Sequence, residues 1–320
     1  MKIAFSPSVY EHAAFLIGKR PWEVSRDPDL LYRAHRRAYE LYQHSPIVVG
    51  IDIYDLEAEA YGCEVREPSG DGIPAIETPL LRMDDDAHSF KPFDPQTAGR
   101  IPTIIQVARK LQQEFASARV LVPLSGPFSI AVSLRGITGL LEDIALQPAE
   151  VCGFLMKLVE GQTRFAAAVV KAGLDVAFFE SAAAPPLLSP RQFRQIELPA
   201  LKETMSRVGA VVGRPVPCII GGDTTPILRD ILSTGTGYVI CPAETDQAAF
   251  MAIMEEFPNI KVRVNLDPLT VAHGSREKLA HEIDRILALA HGQPNVLLGT
   301  GALPYETPPE NVLFIKNYVA

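Results

Sequence analysis

At 320 residues, with 47% hydrophobic and 21% charged side chains, the chain has the composition of a globular protein with a large core, and no apolar run is long enough to cross a bilayer. A formal net charge of −8, with the lysines and arginines scattered rather than gathered in a stripe, argues against a nucleic-acid-binding surface. Four cysteines, Cys63, Cys152, Cys218 and Cys241, have neither CxxC spacing nor a disulfide framework, and Ser6, Pro7, Ser8 and Glu11 interrupt any secretory leader, so free thiols and a cytoplasmic setting are expected.

The first expected strand is Ile47–Ile53, followed by Tyr-Asp-Leu-Glu-Ala-Glu-Ala. Residues 63–80, centred on Pro-Ser-Gly-Asp-Gly-Ile-Pro, read as a hairpin excursion, and the acidic run Asp84-Asp85-Asp86 as a solvated loop. From about residue 118 a βα alternation sets in, with strands expected at Val120–Leu124, Val176–Glu180, Val216–Ile220, Tyr238–Cys241, Val262–Leu266 and Val296–Leu298. Val151, Phe154, Leu155, Leu158 and Val159, continued by Phe165, Ala166, Val169 and Val170, predict one long amphipathic helix stopped by Gly173. Helix starts are marked by Ser189-Pro190, Thr225-Pro226 and Thr307-Pro308, with Asp246 and Ser275 as further caps. Seven strands are one short of a regular barrel. A doubly wound open sheet would need an early strand leading into a glycine-rich helix start, which the N-terminal region lacks. The expected fold is therefore α/β, a distorted (β/α)8 TIM-type barrel with an N-terminal helical segment, and without a low-complexity linker residues 1–320 are expected to form one domain.

In a barrel, reactive groups collect at the C-terminal ends of the strands, which turns the strand list into a site list. Asp52 is the leading candidate there, as proton carrier or cation partner, the other reading being a cap for the following helix. Glu180 ends the hydrophobic run Val-Ala-Phe-Phe, where burial would raise its pKa and make it an acid usable at neutral pH, unless backbone amides at the next helix start hold it. Cys241 precedes Pro242 and is either a nucleophile facing the cavity or a buried inert thiol, since no histidine stands nearby in sequence to activate it. For substrate binding the candidates are Tyr54, Ser125, Asp223, Arg263, Asn265 and Thr300; turn chemistry alone explains Asp223 well, and Thr300 lies in a glycine-flanked segment that is weak evidence for a phosphate. Arg263 shares the strand parity of Asn265. His35, His281 and His291 are expected on helices facing solvent, leaving His12 and His273 as histidines able to visit a site.

Six ordered motifs resemble the uroporphyrinogen decarboxylase and corrinoid-methyltransferase superfamily across nearly the whole chain: Gly126-Pro127-Phe128, Ala172-Gly173-Leu174-Asp175, Leu188-Ser189-Pro190, Asn265-Leu266-Asp267-Pro268, His273-Gly274-Ser275, and Thr307-Pro308-Pro309-Glu310-Asn311-Val312. Glu11-His12, Pro21-Trp22-Glu23-Val24, Gly50-Ile51-Asp52 and Glu57-Ala58-Glu59-Ala60-Tyr61-Gly62 look more like the methyltransferase side. The arginine-rich Arg-Gln-Ala-Gly-Arg element of true decarboxylases has no counterpart, and Gly299-Thr300-Gly301 replaces their Gly-His-Gly, which argues against a macrocycle bearing many carboxylates.

The resemblance also implies zinc ligands, a His-x-Cys and a later Cys, that would activate a thiol. By alignment these positions are Ile219, Gly221 and Ala302, so no zinc is expected there, and Cys218, of opposite parity, is expected to pack. What the resemblance implies is a corrinoid-linked methyltransferase of one-carbon metabolism acting on a small molecule. Its partner would be a corrinoid carrier protein, because the chain looks too short for a cobalamin domain of its own, and a homodimer is expected at family level. A decarboxylase of a small or tetrapyrrole acid and a non-catalytic binding barrel are the alternatives.

Overall fold

The computed structural model describes residues 3–81 and 91–320, and the Asp84-Asp85-Asp86 run lies outside the described residues. Parallel strands β1 (Phe5–Ser8), β2 (Ile47–Val48), β3 (Val120–Ser125), β4 (Asp175–Glu180), β5 (Cys218–Ile220), β6 (Tyr238–Cys241), β7 (Lys261–Leu266) and β8 (Val296–Ala302) form two four-stranded sheets, ordered β2-β3-β4-β5 and β1-β8-β7-β6. A parallel bridge between Pro217 and Tyr238 joins the two half-barrels. The fold is a distorted (β/α)8 barrel.

The eighth strand, absent from the sequence reading, is β1. It pairs with the last strand, Phe5 against Leu298 and Ser6 against Gly299, and with only four residues, one of them Pro7, it has no apolar alternation to betray it. The first expected strand is correspondingly shorter: only Ile47 and Val48 ladder with Val120 and Leu121. Gly50 then turns the chain at φ +144°, where an added Cβ would sit 2.8 Å from Ile53 Cγ2. The buried segment beyond it delivers Asp52 to the barrel mouth.

Helices Tyr10–Phe15, Pro21–Arg26 and Pro28–Tyr42 make the N-terminal helical segment, and Val65–Arg66 pairs antiparallel with Ala75–Ile76 in the hairpin. The long helix runs Pro148–Lys171, burying Val151, Phe154, Leu155, Leu158, Phe165 and Val169 on its core face. Ser189, Asp246 and Ser275 accept the expected cap hydrogen bonds, from the backbone amides of Gln192, Ala249 and Lys278. Thr225 and Thr307 are not side-chain caps: Thr225 engages Thr245, and the Thr307 hydroxyl donates to the Pro304 carbonyl at 2.8 Å. His35 also departs from expectation. Rather than facing solvent it is buried, its Nε2 accepts the Gly50 amide at 3.0 Å, and burial pushes its pKa down to about 4, keeping the ring neutral.

Strand parity divides the core. Val120, Val122 and Leu124, Val176 and Phe178, Cys218 and Ile220, Val239 and Cys241, and Val262, Val264 and Leu266 join the large cluster between strands and helices. Ile53, Leu121, Ala177 and Phe179 form a separate cluster inside the barrel, with Tyr10, Tyr54 and Ile219 packed against it.

Candidate active site

At the C-terminal end of the strands lies a cavity of about 310 Å³ whose wall includes residues from both half-barrels. Its apolar wall includes Phe179, Ile219 and Ile240. Of the residues expected to bind or react, Asp52, Tyr54, Arg263 and Asn265 line it. Asp52 is 4% exposed and meets both terminal nitrogens of Arg100 at 2.7 Å; Arg100 in turn donates from Nε to Glu59 at 2.6 Å, and Glu59 accepts from Arg26. Burial pushes the Asp52 carboxyl up, opposed by the Arg100 charge and hydrogen bonds. Against the burial that disfavours its charge, Asp52 and Glu59 hold the Arg100 guanidinium well above its ordinary range. Tyr54 and Tyr10 both set ring edges against Phe179, each with ring centroids 6.3 Å apart.

Five expected site residues do not reach the cavity. Glu180 alternates with the inward Phe179, so it points into the helix layer, where its carboxylate accepts from the amides of Phe128 at 3.2 Å and Ser129 at 3.3 Å and from the Ser129 hydroxyl. This is the helix-start arrangement that its sequence left open. Cys241 follows the inward Ile240 and is buried on the outer side of its strand, where burial pushes its thiol up. Ser125 donates from its amide (2.7 Å) and hydroxyl (2.8 Å) to the buried Glu57, which also receives the Gln162 amide. Asp223 accepts from Thr245 at 2.8 Å, and Thr300 accepts the Ser8 amide at 3.1 Å, tying β1 to β8. His12, a possible visitor by sequence, is fully buried between Tyr42 (2.7 Å) and the Tyr305 carbonyl (3.1 Å).

Besides Glu244, two carboxyl groups that sequence reasoning did not place in the site line the cavity: Glu11, just after β1, and Asp55, three residues beyond Asp52. Desolvation raises both to about 7; at Asp55 the neighbouring Asp52 charge adds to it. The sequence signal for Glu11 was the Glu11-His12 element, but without β1 nothing placed it at a strand end.

Residues 7–320 match the sequence model of the family described as uroporphyrinogen decarboxylase (URO-D). The chain belongs to that family. Among curated relatives, it is 24% identical over 273 residues to uroporphyrinogen decarboxylase of Chlorobium chlorochromatii, covering 80% of this chain and 76% of that protein. It is 23% identical over 299 residues to the methylcobamide:CoM methyltransferase MtaA of Methanosarcina barkeri, covering 91% and 84%. Among solved structures, a methyltransferase from Methanosarcina mazei superposes with a TM-score of 0.85 at 21% identity, over 99% of this chain and 93% of that one, a likeness of fold. Both decarboxylases and methyltransferases thus stand among the family's members that resemble this chain.

Ile219, Gly221 and Ala302, the positions that the sequence reading matched to the zinc ligands implied by the resemblance, all line the cavity. None carries a donor side chain, so a zinc ion does not fit these three positions. Cys218 lies on the other face of β5, 1% exposed, with its thiol pushed up by burial.

Proposed function

We propose that this member of the family is a corrinoid-linked methyltransferase of one-carbon metabolism, with residues 1–320 acting as one barrel domain and with carboxyl groups in place of the zinc. The observation that carries the reading is the cavity itself: the zinc-ligand positions form apolar wall, while Glu11 and Asp55 beside it have pKa values near 7. Such groups take up or release a proton at neutral pH, which an uncomplexed acceptor needs. The likeness to the methylcobamide:CoM methyltransferase over 91% of this chain supports the same choice.

A cavity of about 310 Å³ accommodates a small substrate, and a corrinoid macrocycle would have to remain at its mouth, carried by a partner protein. When bound, the corrinoid supplies or receives the methyl group. In the direction of transfer to substrate, a carboxylate oxygen of Glu11 or Asp55 takes the acceptor's proton, Asn265 and Tyr54 orient the substrate, and Phe179, Ile219 and Ile240 exclude water. Asp52, locked to Arg100, accepts the Asp55 amide on its carbonyl at 3.2 Å, and its charge helps Asp55 to hold a proton.

The test is to incubate the purified chain with methylcobalamin and a panel of small thiols, phenols and acids, following the corrinoid's visible spectrum. Turnover is expected to rise with pH through about 7, as the base ionises, and Glu11→Gln is expected to lower kcat by about 10²-fold. An unchanged spectrum with every acceptor would sink the proposal. The buried Arg263 favours one second reading, decarboxylation of a small acid, which release of carbon dioxide without any corrinoid would establish in its place.

A further inference from the structure

Arg263 has the chemistry of a receptor. It is 6% exposed, inside the barrel, and it borders both the cavity at the mouth and a smaller one of about 50 Å³ beneath it. Among the described residues no carboxylate lies within 4.0 Å of it, unlike Arg100, Arg26 and Arg119, which are all paired. Its Nε donates to Asn265 Oδ1 at 3.0 Å and its Nη1 reaches the Ser6 carbonyl at 3.4 Å, while Nη2 has no protein partner among the described residues. A guanidinium carries five N–H donors, so the Nη1–Nη2 edge remains available. The hydroxyl of Ser6, on the lower cavity, is likewise buried without a partner.

The backbone makes room for this arrangement. Gly299 of β8 stands opposite the arginine stem, and a Cβ there would fall 2.7 Å from both Cγ and Nε of Arg263. Burying a charge without a counter-charge is costly, and a barrel interior that holds one open toward a cavity is suited to a ligand that brings the opposite charge. The other ionisable side chains on the upper cavity besides the tyrosines are Glu11, Asp52, Asp55 and Glu244, all acids, and Arg119 on the lower one is committed to Asp175 at 2.7 Å. Among the described residues, one free cation below an acidic rim fits a monoanion better than a phosphate dianion.

We infer that the barrel interior is a receptor for the carboxylate of a small monocarboxylic substrate, bound through the Nη1–Nη2 edge of Arg263 with the opposite end of the molecule beneath Glu11 and Asp55. The inference rests on the methyl-transfer site proposed above, because it names the class of molecule that site takes. Asn265 and Ser6 orient the guanidinium, and the two-point contact of a planar carboxylate with a planar fork sets the register of the substrate along the barrel axis.

The test is calorimetric titration of the full chain, without corrinoid, with methoxyacetate and with its uncharged amide, methoxyacetamide. The acid is expected to bind at least about tenfold more tightly than the amide, the difference one charge-assisted contact supplies. Arg263→Gln should remove that preference, and Gly299→Ala, which keeps the charge but displaces it, should reduce it, with circular dichroism reporting the fold of both. Equal binding of acid and amide, no binding of either at millimolar concentration, or a preference that survives in Arg263→Gln would overturn the inference. Because no methyl transfer is read, carboxylate binding in a protein that fails to demethylate methylcobalamin would refute the functional reading alone.

Discussion

Arg100 shows how one residue decides the state of another. Its two terminal nitrogens hold both oxygens of Asp52, and its Nε holds Glu59, so removing it leaves a carboxylate that is only 4% exposed without its main donors. Arg100→Met is expected to destabilise the fold by about 3–5 kcal/mol, measured by urea unfolding, whereas a loss below about 1 kcal/mol would show that the pair is not desolvated. Sequence reading found Asp52 because strand ends of barrels are places to look, but it could not see Arg100, which is separated from it in the hydrogen bond by 48 residues. Likewise Glu180 and Cys241 were legible as strand-terminal residues, and only the inward placement of Phe179 and Ile240 told which side of the wall they occupy. A shift of one residue in the expected parity exchanges cavity for helix layer.

At the scale of the element, the turn from β3 into helix Pro127–Arg135 is fitted around Glu180. An added Cβ on Gly126 would lie 2.9 Å from Glu180 Cβ, and the Glu180 carboxylate receives the first amides of that helix. Behind it stands Glu197, fully buried on the π-helical segment Phe193–Glu197, its carboxyl set against that of Glu180. Burial raises Glu180 to about 7, and burial together with the Glu180 charge raises Glu197 well above the ordinary 4.5. Native carboxyls that hold protons more tightly than unfolded ones stabilise the fold fully below pH 4.5, and that contribution is lost as pH rises through about 7. The melting temperature should accordingly fall between pH 5 and pH 8 on their account, and Glu197→Gln should flatten the slope; an identical slope in the variant would show that the pair does not titrate. The motif Gly126-Pro127-Phe128 was visible in sequence as a family signature, yet its physical reason, the close approach to Glu180, depends on a strand pairing that no local pattern encodes.

For the whole molecule, the βα alternation beyond residue 118 made the barrel legible, since each strand and helix there has the periodicity of its class. The N-terminal part was less legible because β1 and β2 together span only six residues, and their register depends on partners far along the chain. The candidate site suffered accordingly: Glu11 follows the strand that went unseen. The union of β1 with β8 also sets an order in time. The Ser8 amide finds the Thr300 hydroxyl across 292 residues, so β1 has to wait for β8 before it has a strand partner. The β2-β3-β4-β5 sheet, in contrast, can assemble while synthesis continues. In pulse-labelled refolding, the Ser8 amide should gain protection from exchange later than the amides of β3 and β4, and Thr300→Val should hasten the opening of this seam while leaving the earlier sheet protected.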